Sequence, residues 1–231
     1  MADQAADLNP GTLVEHEHSP FLRHHFEDMG QQFESSTLGM WVFLLTEIMF
    51  FGGMFGAYTV YRSMYPDAFA STSRHMIPWL GATNTAVLIC SSLTMALAVR
   101  SAHLGSRKLV RWMLVLTMIF GLAFIGVKFT EYYLHWKDHL VPWLNFQYPE
   151  HPEFFYNAQI LFCFYFFMTG FHALHMFVGL GLLSWLLIKN ETTLFGPQYY
   201  SPVEITGLYW HFVDIVWIFL FPLLYLIGAH G

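Results

Sequence analysis

Five long runs of apolar residues follow one another along the chain, separated by shorter polar stretches. They extend over approximately 38–61, 79–99, 112–134, 158–188 and 207–228. Each run is long enough for an α-helix, which needs about 20 residues to cross a hydrocarbon core of about 30 Å. Strands of a membrane barrel would alternate apolar and polar residues, whereas these runs are apolar on every face. The pattern therefore predicts an all-α integral membrane protein, a bundle of five transmembrane helices.

Composition agrees with a membrane protein. Of the 231 residues, 55% are hydrophobic, 19% aromatic and only 11% charged, whereas an ordinary soluble domain is about 25% charged. Both cysteines, Cys90 and Cys163, fall inside predicted spans and form neither a disulfide framework nor a metal motif. The sequence also contains no nucleotide-binding loop and no nucleophile elbow. We therefore expect no catalytic residue, no metal ligand and no nucleic-acid partner.

Residues 1–37 form a polar tail before the first span. The tail holds seven acidic residues against Arg23 alone, and Pro10, Gly11 and Pro20 interrupt any long helix in it. A mobile or partner-bound tail is expected. No cleavable signal pattern is visible in it, so we expect the first span to act as its own insertion signal.

Lysine and arginine in the loops predict the orientation of the transmembrane domain, residues 38–228. With the N-terminus inside, six of these residues face the cytoplasm and three face outside. The inner ones are Arg23, Arg100, Arg107, Lys108, Arg111 and Lys189, and the outer ones are Arg62, Arg74 and Lys137. The positive-inside rule thus predicts a cytoplasmic N-terminus and an outer C-terminus. The long connection 135–157 then faces outside.

Glu47 lies inside the first span, where an ionised side chain needs a partner, water or a neutral state. It is nine residues beyond Leu38, roughly 14 Å along the helix and so near the middle of the membrane. Its own helix offers no nearby charge. Glu47 is therefore either protonated or in contact with water or with a partner from another helix, and a role beyond packing stays open.

Three further pairs of ionisable residues are each three positions apart and so share a helical face. They are Lys128 with Glu131, His172 with His175, and His211 with Asp214. The first pair predicts an ordinary ion pair near the outer end of its span, where lysine can extend toward water. The two histidine-containing pairs predict hydrogen bonds between helices, with metal or haem ligation as the alternative.

Small residues predict close helix contacts in two spans. Gly52 and Gly56 lie on one stripe of the first span, and Gly170, Ala173, Gly179 and Gly181 lie in the fourth. Side chains this small let a neighbouring helix approach closely.

Four segments resemble subunit III of the haem-copper terminal oxidases. The segment "YWHFVDIVWIFLF" (209–221) resembles the signature of that family's last helix, and "TGFHALHMFVG" (169–179) that of the helix before it. The segment "LTEIMFFGGMFGAY" (45–58) resembles the helix with the family's intramembrane glutamate, and "FTEYY" (129–133) also matches in place and order. The resemblance covers 37–228. Many members of the family have seven helices, and this chain is similar to the shorter, five-helix bacterial form.

The resemblance implies roles for the residues already singled out. Glu47 would be the family's buried carboxylate, associated with a lipid-filled cleft and with proton uptake by the neighbouring catalytic subunit. The family's signature positions in the bundle would be Glu131, His172, His175, His211 and Asp214, none of them a metal ligand. The haems and copper belong to partner subunits in this family, so we expect this chain to bind phospholipid but no redox cofactor.

The resulting expectation is a non-catalytic subunit III of a proton-pumping cytochrome c oxidase in the bacterial inner membrane. Subunit I would be its direct partner, with subunit II and a small subunit IV in the same complex. The connection 135–157 is long and aromatic, which favours a docking surface there for cytochrome c or another respiratory complex.

Three alternatives stay open at this point. One is a subunit III of a quinol oxidase, or the related accessory protein of nitric-oxide reductase. Another subunit binds the electron donor, so this chain does not distinguish between them. A second is a haem b membrane anchor ligated by histidines of the fourth and fifth spans. A free-standing channel or transporter would need a polar path, for which one carboxylate in mid-membrane is little support.

Overall fold

The computed structural model describes residues 22–73, 76–142, 144, 146–148, 152–192, 195–196 and 199–226. Its helices are α1 (Met29–Met64), α2 (Pro66–Ser73), α3 (Pro78–His103), α4 (Arg107–Lys137), α5 (Phe155–Thr192) and α6 (Ser201–Tyr225). A short 3-10 turn, Pro152–Phe154, precedes α5. Five of the helices are long and apolar enough to cross a membrane. The predicted all-α bundle of five transmembrane helices is confirmed, and the first 21 residues of the predicted tail lie outside the described ranges.

The helices extend beyond the apolar runs that predicted them. The first begins at Met29, inside the predicted tail, where the side chain of Asp28 accepts a hydrogen bond from the backbone of Gln31 (2.7 Å) and so caps the helix. The predicted connection 135–157 is also shorter in the structure, because α4 continues to Lys137 and α5 starts at Phe155. The apolar runs identify only the residues that lie in the hydrocarbon core of the membrane. The helical backbone continues beyond the core for as long as its hydrogen bonds continue.

Contacts between helix ends establish the up-and-down order of the bundle. At one end, His103 of α3 contacts Glu204 of α6 (Nε2 to Oε2, 3.2 Å), and Arg111 of α4 pairs with Glu191 of α5. The C-termini of α3 and α5 therefore meet the N-termini of α4 and α6. We call this the basic end of the bundle, because α4 begins there with two basic residues and a third follows at Arg111.

The centre of the bundle is α6, which packs against α3, α5 and α1. In its most apolar 18-residue stretch 56% of the residues are buried, against 11% in the corresponding stretch of α1. Trp210 and Trp217 of α6 are fully buried. The last transmembrane helix is thus the most buried of the five, and the first helix lies on the outside.

Glycines create the space that Trp210 occupies. A Cβ atom on Gly121 of α4 would lie 2.9 Å from the indole of Trp210, and one on Gly179 of α5 would also lie 2.9 Å from it. The predicted close contact in the fourth span is thus confirmed at Gly179. It is wrong at Gly170 and Gly181, where a Cβ would meet no atom within 4 Å among the described residues. The flat indole of Trp210 fits where glycines of two neighbouring helices face each other at the same height in the bundle. The spacing of glycines along one helix does not show which of them lies at that height.

No described helix packs directly against the glycine stripe of α1. At Gly52 and Gly56 an added Cβ would meet nothing within 4 Å in the described part of the chain. The prediction of an internal helix contact at these glycines is therefore wrong. The stripe faces outward, and Gly52 lines an apolar groove between α1 and α6.

Candidate functional site

Glu47 meets a partner from another helix. Its Oε2 lies 3.2 Å from Nε2 of His175 on α5, and the two side chains are 19% and 14% exposed, respectively. Phe51 packs its ring edge-on against the imidazole, at 5.4 Å between ring centres. Contact with a partner on another helix was one of the situations left open by the sequence. The contact between Glu47 and His175 links the first and the fourth transmembrane helix.

The hydrogen bonds of His175 determine how many protons this pair shares. Its Nδ1 lies 2.8 Å from the backbone carbonyl of Phe171, and a carbonyl can only accept, so Nδ1 carries a proton. One proton is then shared between Nε2 of His175 and the carboxyl of Glu47. The pair is either an imidazolium beside a carboxylate or a neutral imidazole beside a carboxylic acid. Both forms are neutral overall, which suits a site in mid-membrane.

His172, one helical turn before His175, has a different environment. It is buried, and its imidazole lies between the rings of Phe124 (5.4 Å) and Trp217 (5.3 Å). Neither ring nitrogen has a hydrogen-bond partner among the described residues. The two histidines share a helical face in sequence, yet one meets a carboxylate and the other meets aromatic rings.

Lys128 and Glu131 form the ion pair that their spacing predicts, with Nζ 2.8 Å from Oε2. The expectation that Lys128 extends toward water is wrong, since the residue is only 4% exposed and Glu131 is fully buried. The Lys128 ammonium also donates to the hydroxyls of Tyr225 (2.9 Å) and Tyr165 (3.2 Å). Tyr225 in turn donates to the other oxygen of Glu131, at 2.7 Å. Side chains from α4, α5 and α6 thus satisfy both charges.

Aromatic rings complete the surroundings of the Lys128 ammonium. The nitrogen lies 5.0 Å from the ring centres of Tyr165 and Trp217, and 5.6 Å from that of Tyr225. A cation gains from the face of an aromatic ring, and more so where water is excluded. Tyr132 of α4 also faces the nitrogen, at 5.4 Å. Sequence spacing predicted the ion pair but missed the other three rings, because they come from α5 and α6.

His211 and Asp214 do not bond to each other, but both line one groove together with Ser92 of α3. Nδ1 of His211 lies 2.7 Å from Oγ of Ser92, so the predicted contact with a neighbouring helix is present for His211. Among the described residues, no donor reaches either carboxyl oxygen of Asp214 in hydrogen-bond geometry. We call these three residues the polar trio.

The arrangement of the histidines bears on haem or metal binding. No group of three His, Cys, Asp or Glu side chains that could hold a metal ion occurs in the part of the chain that the structure describes. Axial ligation of a haem needs imidazoles that face one common cavity. His172 packs between aromatic rings, His175 meets Glu47, and His211 meets Ser92. These separate environments disfavour the haem anchor.

Comparison with known proteins identifies the family. The family model described as cytochrome c oxidase subunit III matches residues 141–229. The cytochrome c oxidase subunit 3 of Thermostichus vulcanus is 31% identical over 194 residues, covering 82% of this chain and 86% of the relative. The chain belongs to the subunit III family of the haem-copper oxidases. Subunits III are non-catalytic members of oxidase complexes, and this member is a multi-pass protein of the bacterial inner membrane.

The family includes both cytochrome c oxidases and quinol oxidases. The cytochrome bo(3) ubiquinol oxidase subunit 3 of Pseudomonas aeruginosa is 30% identical over 218 residues, covering 94% of this chain and 92% of the relative. The quinol oxidase subunit 3 of Bacillus subtilis (strain 168) is 29% identical over 199 residues, covering 84% and 88%. Membership of the family therefore does not decide the electron donor.

The connection after α4 packs back onto the bundle. Tyr148 is buried and places its hydroxyl 3.4 Å from Oγ1 of Thr72 on α2, while Phe146 packs against Phe155 and Phe162 of α5. The sequence predicted neither α2 nor this contact. Part of the segment expected to be a free docking surface therefore stabilises the fold, and residues 143, 145 and 149–151 lie outside the described ranges.

Proposed function

We propose that this chain stabilises the catalytic subunit of a proton-pumping oxidase and supports its proton uptake through Glu47. The observation that carries the proposal is the contact between Glu47 and His175. It places one shared proton between two titratable side chains at the middle of α1, partly exposed on the outer surface of the bundle. The shared proton can move from one side chain to the other without changing the net charge of the pair, so both forms are tolerated in mid-membrane. That property fits an accessory role beside a proton-pumping subunit.

Substituting Glu47 tests the proposal. Glu47→Gln retains a group that hydrogen-bonds His175, so stability should change by no more than about 1 kcal/mol and the oxidase subunits should still copurify. The variant cannot exchange a proton, so proton uptake measured in vesicles should fall, and activity should decay earlier during sustained turnover. Thr46→Val is the matched control, because the Thr46 hydroxyl bonds only the backbone of its own helix, at Phe43 (2.7 Å).

The outcomes separate a proton role from a structural one. Normal proton uptake in Glu47→Gln, together with loss of the catalytic subunit in Glu47→Leu, would make Glu47 structural. Infrared difference spectra of the wild type and Glu47→Gln would show whether the carboxyl is protonated at neutral pH. Either protonation form is compatible with the shared proton.

We propose cytochrome c as the electron donor of the complex, with quinol as the second candidate. Relatives carry both names, as reported above. Purification of the complex through a tag on this chain distinguishes the two, because a copurified subunit with a copper or cytochrome c domain would indicate cytochrome c. Subunit I would be the direct partner, with subunit II and a small subunit IV also present. Haem and copper in the redox spectrum would belong to those subunits.

Phospholipid binding is also proposed, at the basic end of the bundle. A groove of ≈ 410 Å³ there is lined by Arg107, Lys108, Arg111, Trp112 and Glu191. Three cations against one carboxylate favour an anionic headgroup, and an exposed tryptophan beside them is typical of the membrane interface. Lipid analysis of the same purified complex should find anionic phospholipid, and less of it in Lys108→Ala.

The outer connection remains a proposed docking site for cytochrome c or another respiratory complex. Its described part is anchored by Tyr148 and Phe146, so deletion of the whole segment would disturb the fold. Substituting only Leu144, which is 62% exposed, tests the surface without removing that anchor. Leu144→Asp should weaken association with the partner and leave oxidase assembly unchanged.

A further inference from the structure

One side of α6 is left uncovered by the other described residues. Although α6 forms the centre of the bundle, Ile215 and Ile218 are 50% and 45% exposed. A groove runs along each flank of this side, ≈ 410 Å³ in volume against α3 and ≈ 460 Å³ against α1. His211 lines both grooves. We call this side of α6, with its two grooves, the α6 face.

The polar trio lies within the α6 face. Asp214 is 3% exposed and lines the groove against α3, and within the described residues neither of its oxygens accepts a hydrogen bond. Ser92 and His211 line the same groove. Nε2 of His211 makes no hydrogen bond to any described residue, because the only bond of this imidazole is that of Nδ1 to Ser92.

The free nitrogen of His211 needs a partner in either tautomer of the imidazole. If Nδ1 donates to Oγ of Ser92, Nε2 is an acceptor, and if the Ser92 hydroxyl donates to Nδ1, Nε2 carries a proton and is a donor. The α6 face therefore presents to its surroundings an imidazole nitrogen that has no hydrogen-bond partner among the described residues.

The depth of the trio in the membrane restricts what can form the missing hydrogen bond. His211 and Asp214 are ten and thirteen residues after Ser201, roughly 15 and 20 Å along α6 from the basic end. Phospholipid headgroups lie at the interface, and acyl chains carry no hydrogen-bonding group. A lipid thus covers the apolar part of the face but leaves the imidazole unsatisfied.

We propose that a transmembrane helix of the catalytic oxidase subunit docks on the α6 face and forms a hydrogen bond with Nε2 of His211. The partner is a hydroxyl or amide side chain, because these groups pair with either tautomer of a neutral imidazole. Parallel grooves that flank a ridge accept the side-chain rows of a neighbouring helix. Gly52, which lines the groove against α1, has no atom within 4 Å of an added Cβ and so permits a close approach. This inference rests on the proposed function, since it names the surface through which the chain meets its oxidase.

Photochemical crosslinking in the whole complex tests the location. A benzophenone side chain is introduced in place of Ile215 or Ile89, both on the α6 face, and in place of Ile119 or Leu122 on α4 as controls. The four positions are 45% to 60% exposed and lie near the middle of their helices. The two positions on the α6 face, Ile215 of α6 and Ile89 of α3, should crosslink to the haem-containing subunit, and the α4 positions should not. Crosslinks from α4 alone, or only to lipid or quinone from Ile215 and Ile89, overturn the inference.

Two substitutions of His211 test the chemistry. The amide of Gln reaches the place of Nε2, and that of Asn reaches the place of Nδ1. If the outward bond matters, His211→Gln retains the catalytic subunit, and His211→Asn lowers the ratio of that subunit to the tagged chain about two- to tenfold, the range of one net hydrogen bond. The opposite order makes His211 an internal link to Ser92 only. Absence of any haem-containing subunit with the wild-type chain would instead overturn the proposed function.

Discussion

Lys128 shows how individual side chains hold a charge inside an apolar bundle. Its ammonium makes hydrogen bonds to Glu131, Tyr165 and Tyr225. Removing one partner of a buried ion pair leaves the other uncompensated in a place that water does not reach. The energy of this pair therefore depends on both charges being present.

Substituting Lys128 should be costly, and substituting both partners should be less so. Lys128→Met should lower the free energy of unfolding by about 3–5 kcal/mol, measured by thermal unfolding in detergent. The double variant Lys128→Met, Glu131→Gln should recover much of that loss. Arg111→Met is the control, because the pair of Arg111 and Glu191 is about half exposed and should cost at most about 1 kcal/mol. Equal losses in the two single variants would contradict the role of burial.

At this scale the sequence predicted a contact within one helix but not the contacts between helices. The i, i+3 spacing of Lys128 and Glu131 lies within one helix, so the pair could be predicted. The contact of Glu47 with His175 joins α1 to α5, and no spacing rule gives the rotation of one helix against another. Ser92 was missed for the same reason, since a serine in an apolar run carries no signal of its own.

The elements of the bundle are fitted together by their small residues. Trp210 of α6 lies between Gly121 of α4 and Gly179 of α5, each with no space for a methyl group. Other glycines of the same two helices, Gly126 and Gly170, have open space around them. Gly126 of α4 and Gly170 of α5 can therefore serve as controls for substitutions at Gly121 and Gly179.

Alanine substitutions should divide these glycines into two classes. Gly121→Ala and Gly179→Ala should each destabilise the protein by about 1–3 kcal/mol, because the added methyl group overpacks the core against Trp210. Gly126→Ala and Gly170→Ala should be neutral, or stabilising by up to about 1 kcal/mol through helix propensity. Thermal unfolding of the four variants in detergent measures the difference. A loss at Gly126 or Gly170 equal to that at Gly179 would refute the packing argument.

Hydropathy located the five transmembrane helices but not their limits, and it missed α2. Apolar composition indicates which residues lie in the hydrocarbon core. The ends of the helices depend instead on caps such as Asp28 and on contacts outside the membrane. The short α2 is held by tertiary packing, with Phe69 buried against Tyr58 at 5.6 Å between ring centres. That contact becomes visible only when α1 and α2 are placed together.

For the whole molecule, the orientation remains a prediction from loop charges. Single cysteines at two exposed positions, in a chain in which Cys90 and Cys163 are replaced by serine, test it. Asp138→Cys, at the end of α4, should react with a membrane-impermeant maleimide from outside intact cells. Leu104→Cys, at the basic end, should react only after the membrane is opened. The reverse labelling pattern would place the N-terminus outside.

The contact of Glu47 with His175 also has a consequence for the order in which the protein is made. α1 leaves the ribosome before the other helices, and His175 of α5 is synthesised 128 residues (175 − 47) after Glu47. During that interval the carboxyl of Glu47 lies in the bilayer without its imidazole, at an insertion cost of the order of 2–3 kcal/mol. A ribosome-bound chain ending before α5 would therefore hold its first helix loosely in the membrane. Arrival of His175 completes both the polar contact and the anchoring of that helix.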